Sequence, residues 1–277
     1  MRAITRIVPA SLRPLARSWY YSALELLDRR PSRRNSLYAP AKLDFVTGGT
    51  EDFKEGAKRF LDCLIESGLK PDDHVLDIGC GIGRLAAPLT QYLSGEGSYR
   101  GFDLVEIGVR WATNHITRQY PNFIFERADV YSEMYHPEGR VRAGEYRFPY
   151  ADASFDRIFA YSLFTHMLPD DMRNYLREIA RVIKPDGCAL ITYFLLDDNS
   201  REALANGRCA ISFQPYLPEC LTRNVELPES ALCYFEAAVK RAHCEAGLKI
   251  ERISYGSWRG GSSRAFQDMT VSGKRVI

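Results

Sequence analysis

The sequence predicts an α/β domain: a seven-stranded, mostly parallel sheet with one antiparallel strand and helices on both faces. Three observations carry that reading. Short apolar runs alternate with helix-period segments from residue 52 to residue 255. The stretch His74 to Arg84 reads as a buried run, an acid, then glycines at Gly79, Gly81 and Gly83 ahead of a helical pattern from Leu85. The last two apolar runs, Leu248 to Tyr255 and Phe266 to Ser272, flank a connection holding Gly260, Gly261, Ser262 and Ser263, which folds the final strand back antiparallel.

With 277 residues and 45% hydrophobic content, the chain can bury one sizeable core. Residues 1–40 read as a basic leader and 41–277 as the domain. In the leader, Trp19, Tyr20, Ala23, Leu24, Leu26 and Leu27 make one apolar helical face between Ser18 and Asp28. Such a face suits packing on the domain's own surface, the preferred reading, or peripheral contact of residues 1–34 with an anionic membrane.

From Asp52 to Ser67, the residues Phe53, Ala57, Phe60, Leu61, Leu64 and Ile65 recur at helical spacing and Gly68 ends the helix. Pro71-Asp72-Asp73 turns into strand one, which ends near Asp77. A helix follows over Leu85 to Leu93, then strand two over Ser98 to Leu104. The next helix runs from Glu106 to Tyr120, where Pro121 stops it, and strand three is Asn122 to Ala128. Tyr131 to Ala151 is a long loop. Strand four is Phe155 to Ser162, the next helix Asp170 to Ile183 and strand five Cys188 to Leu196. Pro215, Pro218 and Pro228 argue for an irregular substrate-side insertion at 200–228, and a helix resumes over Glu229 to Ala246.

Charge and cysteine usage narrow the classes. Residues 1–34 hold eight arginines against Glu25 and Asp28, leaving 29 basic against 33 acidic residues in the remainder. The body carries no electrostatic footprint for nucleic acid. Seven cysteines without a Cys-x-x-Cys point to a reduced, cytoplasmic compartment. No apolar run approaches the ~20 residues of a membrane span, and the leader lacks the apolar region of a secretory signal.

The chemistry concentrates at the glycine loop. Glycine permits positive φ and lets a ligand lie against backbone, and the helix start behind it suits a carboxylate. A dinucleotide fingerprint needs a further glycine where Arg84 stands, which disfavours nicotinamide-dependent redox chemistry. Asp77, just before the glycines, can accept from an ammonium group. A ligand with both ammonium and carboxylate is an amino acid.

This stretch resembles motif I of the class I S-adenosylmethionine (SAM)-dependent methyltransferases. Phe148-Pro149-Tyr150-Ala151-Asp152-Ala153-Ser154-Phe155-Asp156 and Arg181-Val182-Ile183-Lys184-Pro185-Asp186-Gly187 resemble motifs IV and V of the same family. Asp186 departs from it, since a glycine is commoner there. The resemblance covers about residues 51–199. It implies a Rossmann-like sheet, SAM as cofactor and methyl transfer as the reaction.

The resemblance also implies roles at the strand ends. Gly79, Cys80 and Gly81 would capture the amino-acid end of the ligand. Arg84 adds charge toward the carboxylate, or is a surface helix residue. Asp103 would grip the ribose hydroxyls with Leu104 against the adenine; otherwise it is a solvated loop acid. Asp129 would accept from the adenine amino group and the Val130 N–H donate to a ring nitrogen; otherwise Asp129 is a turn residue. Ser162 at the end of strand four joins the cofactor rim.

His166, just past strand four, is the catalytic candidate: a base for a hydroxyl proton, or a structural histidine. Asp197-Asp198-Asn199 resembles the metal corner of cation-dependent O-methyltransferases, but the end of strand four, Ala160-Tyr161-Ser162, lacks the partner acid, so no metal is expected. The expected acceptor is a hydroxyl of a small molecule or glycan; N-methylation, or SAM binding without turnover, are the alternatives. Tyr131, Tyr135, Tyr146, Tyr150, Phe213, Tyr216 and Trp258 would stack on the acceptor or pack the long loops.

Overall fold

The computed structural model describes residues 37–39, 43 and 53–275. The leader helix at 18–28 and the membrane contact expected of residues 1–34 lie outside the described residues. The chain runs α1 (Phe53–Glu66), β1 (His74–Ile78), α2 (Ala86–Leu89), β2 (Ser98–Asp103), α3 (Glu106–Ala112), β3 (Phe123–Arg127), β4 (Phe155–Ala160), α4 (Pro169–Val182) and β5 (Ile183–Tyr193). It continues through β6 (Leu195–Leu196), α5 (Asp198–Ala205), β7 (Gln214–Leu217), β8 (Cys220–Thr222), β9 (Leu232–Phe235), α6 (Glu236–Glu245), β10 (Leu248–Ser254) and β11 (Asp268–Lys274).

The main sheet has the seven strands that the sequence predicts, in the order β3-β2-β1-β4-β5-β11-β10. Only β11 runs antiparallel, pairing that way with both β5 and β10. The chain winds outward from β1 to β3, then returns to β4 on the other flank of β1. That reversal puts a crevice at the carboxyl ends of β1 and β4, where open α/β sheets bind ligands.

Both faces of the sheet are covered, which is why its strands read as unbroken apolar runs. Successive β1 residues serve opposite cores. Leu76 and Ile78 pack with Ile158, Leu176 and Ile191 beneath α4 and α6. Val75 packs with Phe60, Leu64, Ala86, Tyr99 and Phe123 beneath α1–α3. Each such side chain, fully buried, stabilises the fold by roughly 1.5–3 kcal/mol. Helix α4 starts at Pro169, where a missing N–H is harmless, with Asp170 and Asp171 in its positive first turn. Near its end Arg181 donates to the Phe148 and Tyr150 carbonyls, fastening the loop before β4.

Several boundaries differ from the sequence reading. The helix expected over 85–93 is regular only over Ala86–Leu89, and that expected over 106–120 gives way after Ala112 to a π-helical turn at Thr113–Thr117. Strand five begins at Ile183: Ile183 pairs with Phe155 and Cys188 with Arg157, so residues 184–187 are absorbed as an irregularity inside the strand.

The larger correction is at 200–228, which is not irregular. Asp197 caps α5 in a reciprocal capping box with Ser200, and a second sheet forms in the order β6-β9-β8-β7. Leu195 and Leu196 leave the main sheet to pair with β9. The helix expected from Glu229 therefore starts only at Glu236, because Leu232, Cys233 and Tyr234 are fully buried as strand. Pro215 sits in β7, an edge strand, where its missing N–H can face the open side.

Candidate cofactor and acceptor site

The loop after β1 passes through left-handed backbone at Gly79, Gly81 and Gly83. At Gly83 a Cβ would also lie 2.7 Å from Ile116 Cδ1, so the Ile116 side chain would have to shift to admit one. The loop is tied to the end of β2. The Gly79 and Cys80 amides both donate to the Phe102 carbonyl, at 2.9 and 3.1 Å, and the Gly81 amide donates to Asp103 Oδ2 at 2.8 Å. These amides therefore brace the loop against the end of β2. What Gly79 and Gly81 offer a ligand is close approach.

Asp103 is held from two sides, since the Val105 amide donates to its Oδ1 at 2.8 Å. Each carboxylate oxygen keeps a further lone pair, so the clamped acid can still accept two hydroxyls. Burial pushes its pKa up, and the amides of Val105 and Gly81 pull it back. Leu104 beside it is half-buried against the α4-side core.

Asp77 lies beneath the loop. It is 1% exposed, and the Tyr99 hydroxyl donates to its Oδ2 at 2.6 Å. Burial pushes its pKa up to about 8, reinforced by the Asp103 charge and opposed by the Tyr99 bond. Cys80 is buried too, its thiol held well above the usual range by desolvation. Arg84 is half-buried near Tyr161, where its charge opposes the burial that raises the Tyr161 phenol.

Asp129 carries an ion pair with Arg140 and a 3.2 Å contact to His136 Nε2; these partners lower its pKa. Its carboxylate is thus engaged by the loop that follows β3. Val130 follows the alternation of β3: the Ala128 amide donates to the Asp103 carbonyl, so the Val130 N–H faces the same side, beyond the end of β2.

At the end of β4, Ser162 takes φ 57, a left-handed conformation uncommon outside glycine. Two bonds hold it there: its amide donates to Thr192 Oγ1 at 2.7 Å, and Gln267 Nε2 donates to its Oγ at 2.9 Å. The next residue, Leu163, lies against Gly79; a Cβ there would sit 3.4 Å from Leu163 Cβ.

His166 stands one turn on. Its Nδ1 is 2.7 Å from the Glu229 carbonyl oxygen. A carbonyl only accepts, so Nδ1 carries the hydrogen and Nε2 presents a lone pair. Burial lowers the His166 pKa, opposed by that bond. Ser132 Oγ donates to Glu229 Oε2 at 2.8 Å, and the Tyr135 ring stands edge-on to His166 at 6.0 Å. Glu229 escaped the sequence reading because it acts through its backbone.

Other candidates fall away. Trp258 is fully buried against Phe194 and Phe213, and its Nε1 donates to Asp268, so Trp258 offers no stacking surface to an acceptor; Phe213 is half-buried against Phe194 and Trp258. Tyr146 and Tyr150 pack on Phe102, and Tyr216 packs against the α4-side core. Tyr131 stays exposed. Asp197 caps α5 and pairs with Arg259 at 3.0 Å, which accounts for the strand-five acid without a metal. Among the described residues no cluster of three or more His, Cys, Asp or Glu can hold a metal ion. No described helix is long and apolar enough to cross a membrane.

Residues 75–187 match the family model of a methyltransferase domain. The chain is 31% identical over 168 residues to an O-methyltransferase of Pyrenophora dematioidea, covering 57% of this chain and 54% of that one. It is 30% identical over 179 residues to methyltransferase GfsG of Streptomyces halstedii, covering 62% and 55%. The chain thus spans about half the length of the curated relatives it matches. Among solved structures, the Burkholderia thailandensis 1,6-didemethyltoxoflavin-N1-methyltransferase, with 1,6-didemethyltoxoflavin and S-adenosylhomocysteine bound, superposes with a TM-score of 0.52 at 17% identity over 82% of this chain and 80% of that one, a likeness of fold. The matched segment spans the glycine loop, the clamped acid of β2 and the whole of β4, and over these residues the chain carries a methyltransferase domain.

Proposed function

We propose that the protein is an enzyme that transfers a methyl group from SAM to an oxygen of a small molecule, with His166 as general base. The observation that carries the base role is the His166 Nδ1 bond to the Glu229 carbonyl, which leaves Nε2 free to take a proton. Burial lowers the pKa and so favours the neutral, proton-accepting form at neutral pH. Relatives named as O-methyltransferases support oxygen as the nucleophile.

SAM supplies a methyl group on an electrophilic sulfonium. The rim suits it in donors and acceptors: Asp103 has lone pairs for the ribose, Val130 N–H and Asp129 face the adenine, and Gly79, Cys80 and Gly81 let the methionine chain pass close. Asp77 braces this loop through Tyr99, and Arg84 adds positive charge on the same side. Leu104 forms an apolar wall. Ser162 and Leu163 carry the end of β4 up to the loop. His166 Nε2 then takes the acceptor's hydroxyl proton while Nδ1–H stays on the Glu229 carbonyl, which stabilises the imidazolium that forms. The remaining work is orientation, holding acceptor oxygen and methyl in line.

The acceptor lies on the side of Tyr131, Tyr135 and His166. A small phenol or alcohol fits this reading, and a sugar hydroxyl shares its chemistry. Label transfer from methyl-tritiated SAM to a panel of phenols, sugars and amines tests it. Label in hydroxyl compounds, reduced strongly by His166→Gln, is the expected result. Label in amines alone would mean N-methylation, and binding without transfer to any acceptor would mean a SAM-binding protein without turnover.

A further inference from the structure

The methionyl end of SAM carries an ammonium, a group with three N–H donors and no acceptor. Asp77, the acid nearest the glycine loop in sequence, already accepts from Tyr99 and is sealed from solvent. At about 8, its pKa also leaves it mostly protonated at neutral pH. The rim therefore needs another acceptor at that place.

Seven buried side-chain atoms among the described residues lack a hydrogen-bond partner. Three are N–H donors, on Trp111, Arg157 and Arg259, and three are hydroxyls, on Thr117, Thr165 and Ser230. The seventh, Gln267 Oε1, is the one that can only accept. Gln267 is 9% exposed, so an unmet acceptor there carries a desolvation cost that a ligand donor would relieve. It immediately precedes β11, whose first residue Asp268 pairs with Tyr193 at the end of β5. Its side chain reaches past β5 to Ser162 at the end of β4, with Nε2 on the Ser162 hydroxyl.

That contact has a direction. Nε2 is spent on Ser162, so the amide oxygen is the end left over. Ser162 is held in left-handed backbone, and Leu163 after it touches the loop at Gly79. Non-glycine residues stay in such a conformation only where their surroundings impose it, and they cluster at ligand sites. Thr192, Ser162 and Gln267 thus form a hydrogen-bonded row across the carboxyl ends of β5 and β4 and the amino end of the antiparallel β11, ending in an open acceptor.

We propose that Gln267 binds the cofactor: its Oε1 accepts a hydrogen bond from the α-ammonium of the methionyl group, with Ser162 setting the orientation of the amide. This rests on the reading of the rim as a SAM site. No covalent step is involved. Gln267 is a binding residue, and its contribution belongs to ligands that carry the amino-acid end.

Titration calorimetry on the full chain with two probes tests it. S-adenosylhomocysteine has the ammonium; 5′-methylthioadenosine keeps the adenosine and the sulfur but lacks the amino-acid end. Gln267→Leu should weaken S-adenosylhomocysteine about tenfold or more, the scale of one hydrogen bond to a charged group, and leave 5′-methylthioadenosine within about twofold. Gln267→Glu, which keeps an acceptor oxygen and adds charge, should retain S-adenosylhomocysteine. The proposal is overturned if Gln267→Leu leaves S-adenosylhomocysteine unchanged, if both probes weaken together, or if Gln267→Glu loses as much as Gln267→Leu. A wild-type chain that binds neither probe overturns the cofactor site itself, and this proposal with it.

Discussion

The Gly81 amide and the Asp103 carboxylate are 2.8 Å apart, so the loop after β1 and the acid that ends β2 form one unit. A change to the loop's shape should therefore be felt at Asp103. Gly83 is constrained twice over, with φ 74 and Ile116 Cδ1 2.7 Å from where a Cβ would stand. Gly83→Ala should cost about 2–4 kcal/mol, combining left-handed strain with overpacking. Urea unfolding would show it as a lower midpoint at unchanged slope.

His166 should dominate turnover. With an acceptor in hand, His166→Gln should lower kcat about 100-fold or more, the usual scale of a general base, while moving S-adenosylhomocysteine affinity little. The base works only when neutral, so activity should rise with pH and then level. Because burial lowers the His166 pKa, the rise should fall below the ordinary histidine value of 6.5. Measuring kcat/KM across pH 5–8 in wild type checks this; a rise centred well above that value would exclude His166 as the base.

His243 is buried between the Tyr193 hydroxyl, 3.0 Å from Nε2, and Ser272 Oγ, 3.1 Å from Nδ1. Burial pushes its pKa down to about 3. The folded state therefore stays unprotonated while the unfolded chain takes a proton as pH falls through about 6.5. Stability attributable to this residue is intact above that pH and falls by about 1.4 kcal/mol per unit between roughly pH 6 and 4. Asp77 acts oppositely: its raised folded pKa, about 8, favours the folded state as pH falls across that range. The His243 contribution is isolated by comparison with His243→Gln, whose unfolding free energy should lack this part of the slope.

Asp268 holds the second sheet to the first. Fully buried, it accepts from the Leu195 amide and Trp258 Nε1 through Oδ2 and from the Gly256 amide through Oδ1, with Arg259 alongside. Asp268→Ala would strand these donors and the Arg259 charge, at an expected cost of about 3–5 kcal/mol. Asp268→Asn keeps the shape and an acceptor, and should cost clearly less by chemical denaturation.

The main sheet was legible because each strand, turn and helix start is written in a local run. His74 to Arg84 alone contains a strand, a loop and its acid. The second sheet was not, because Leu232 to Phe235 has the apolar content of a helix segment and is strand only through Leu195, Leu196 and Cys220, which come from elsewhere. In the site, Asp103 was visible by its position at a strand end. Glu229 was not, since a backbone carbonyl leaves no spacing to read. Trp258 shows the converse. It sits in a glycine- and serine-rich connection that reads as surface, yet the fold buries it completely.

Titration of S-adenosylhomocysteine into the wild-type chain and into Asp103→Ala, with thermal melts of both, tests the central claim most directly. The account predicts saturable binding of one equivalent by the wild type, and a loss of about 100-fold or more in a variant that still melts cooperatively, as two charge-assisted hydroxyl contacts disappear. Equal affinity in the two proteins, or no binding by a folded wild type, would contradict it.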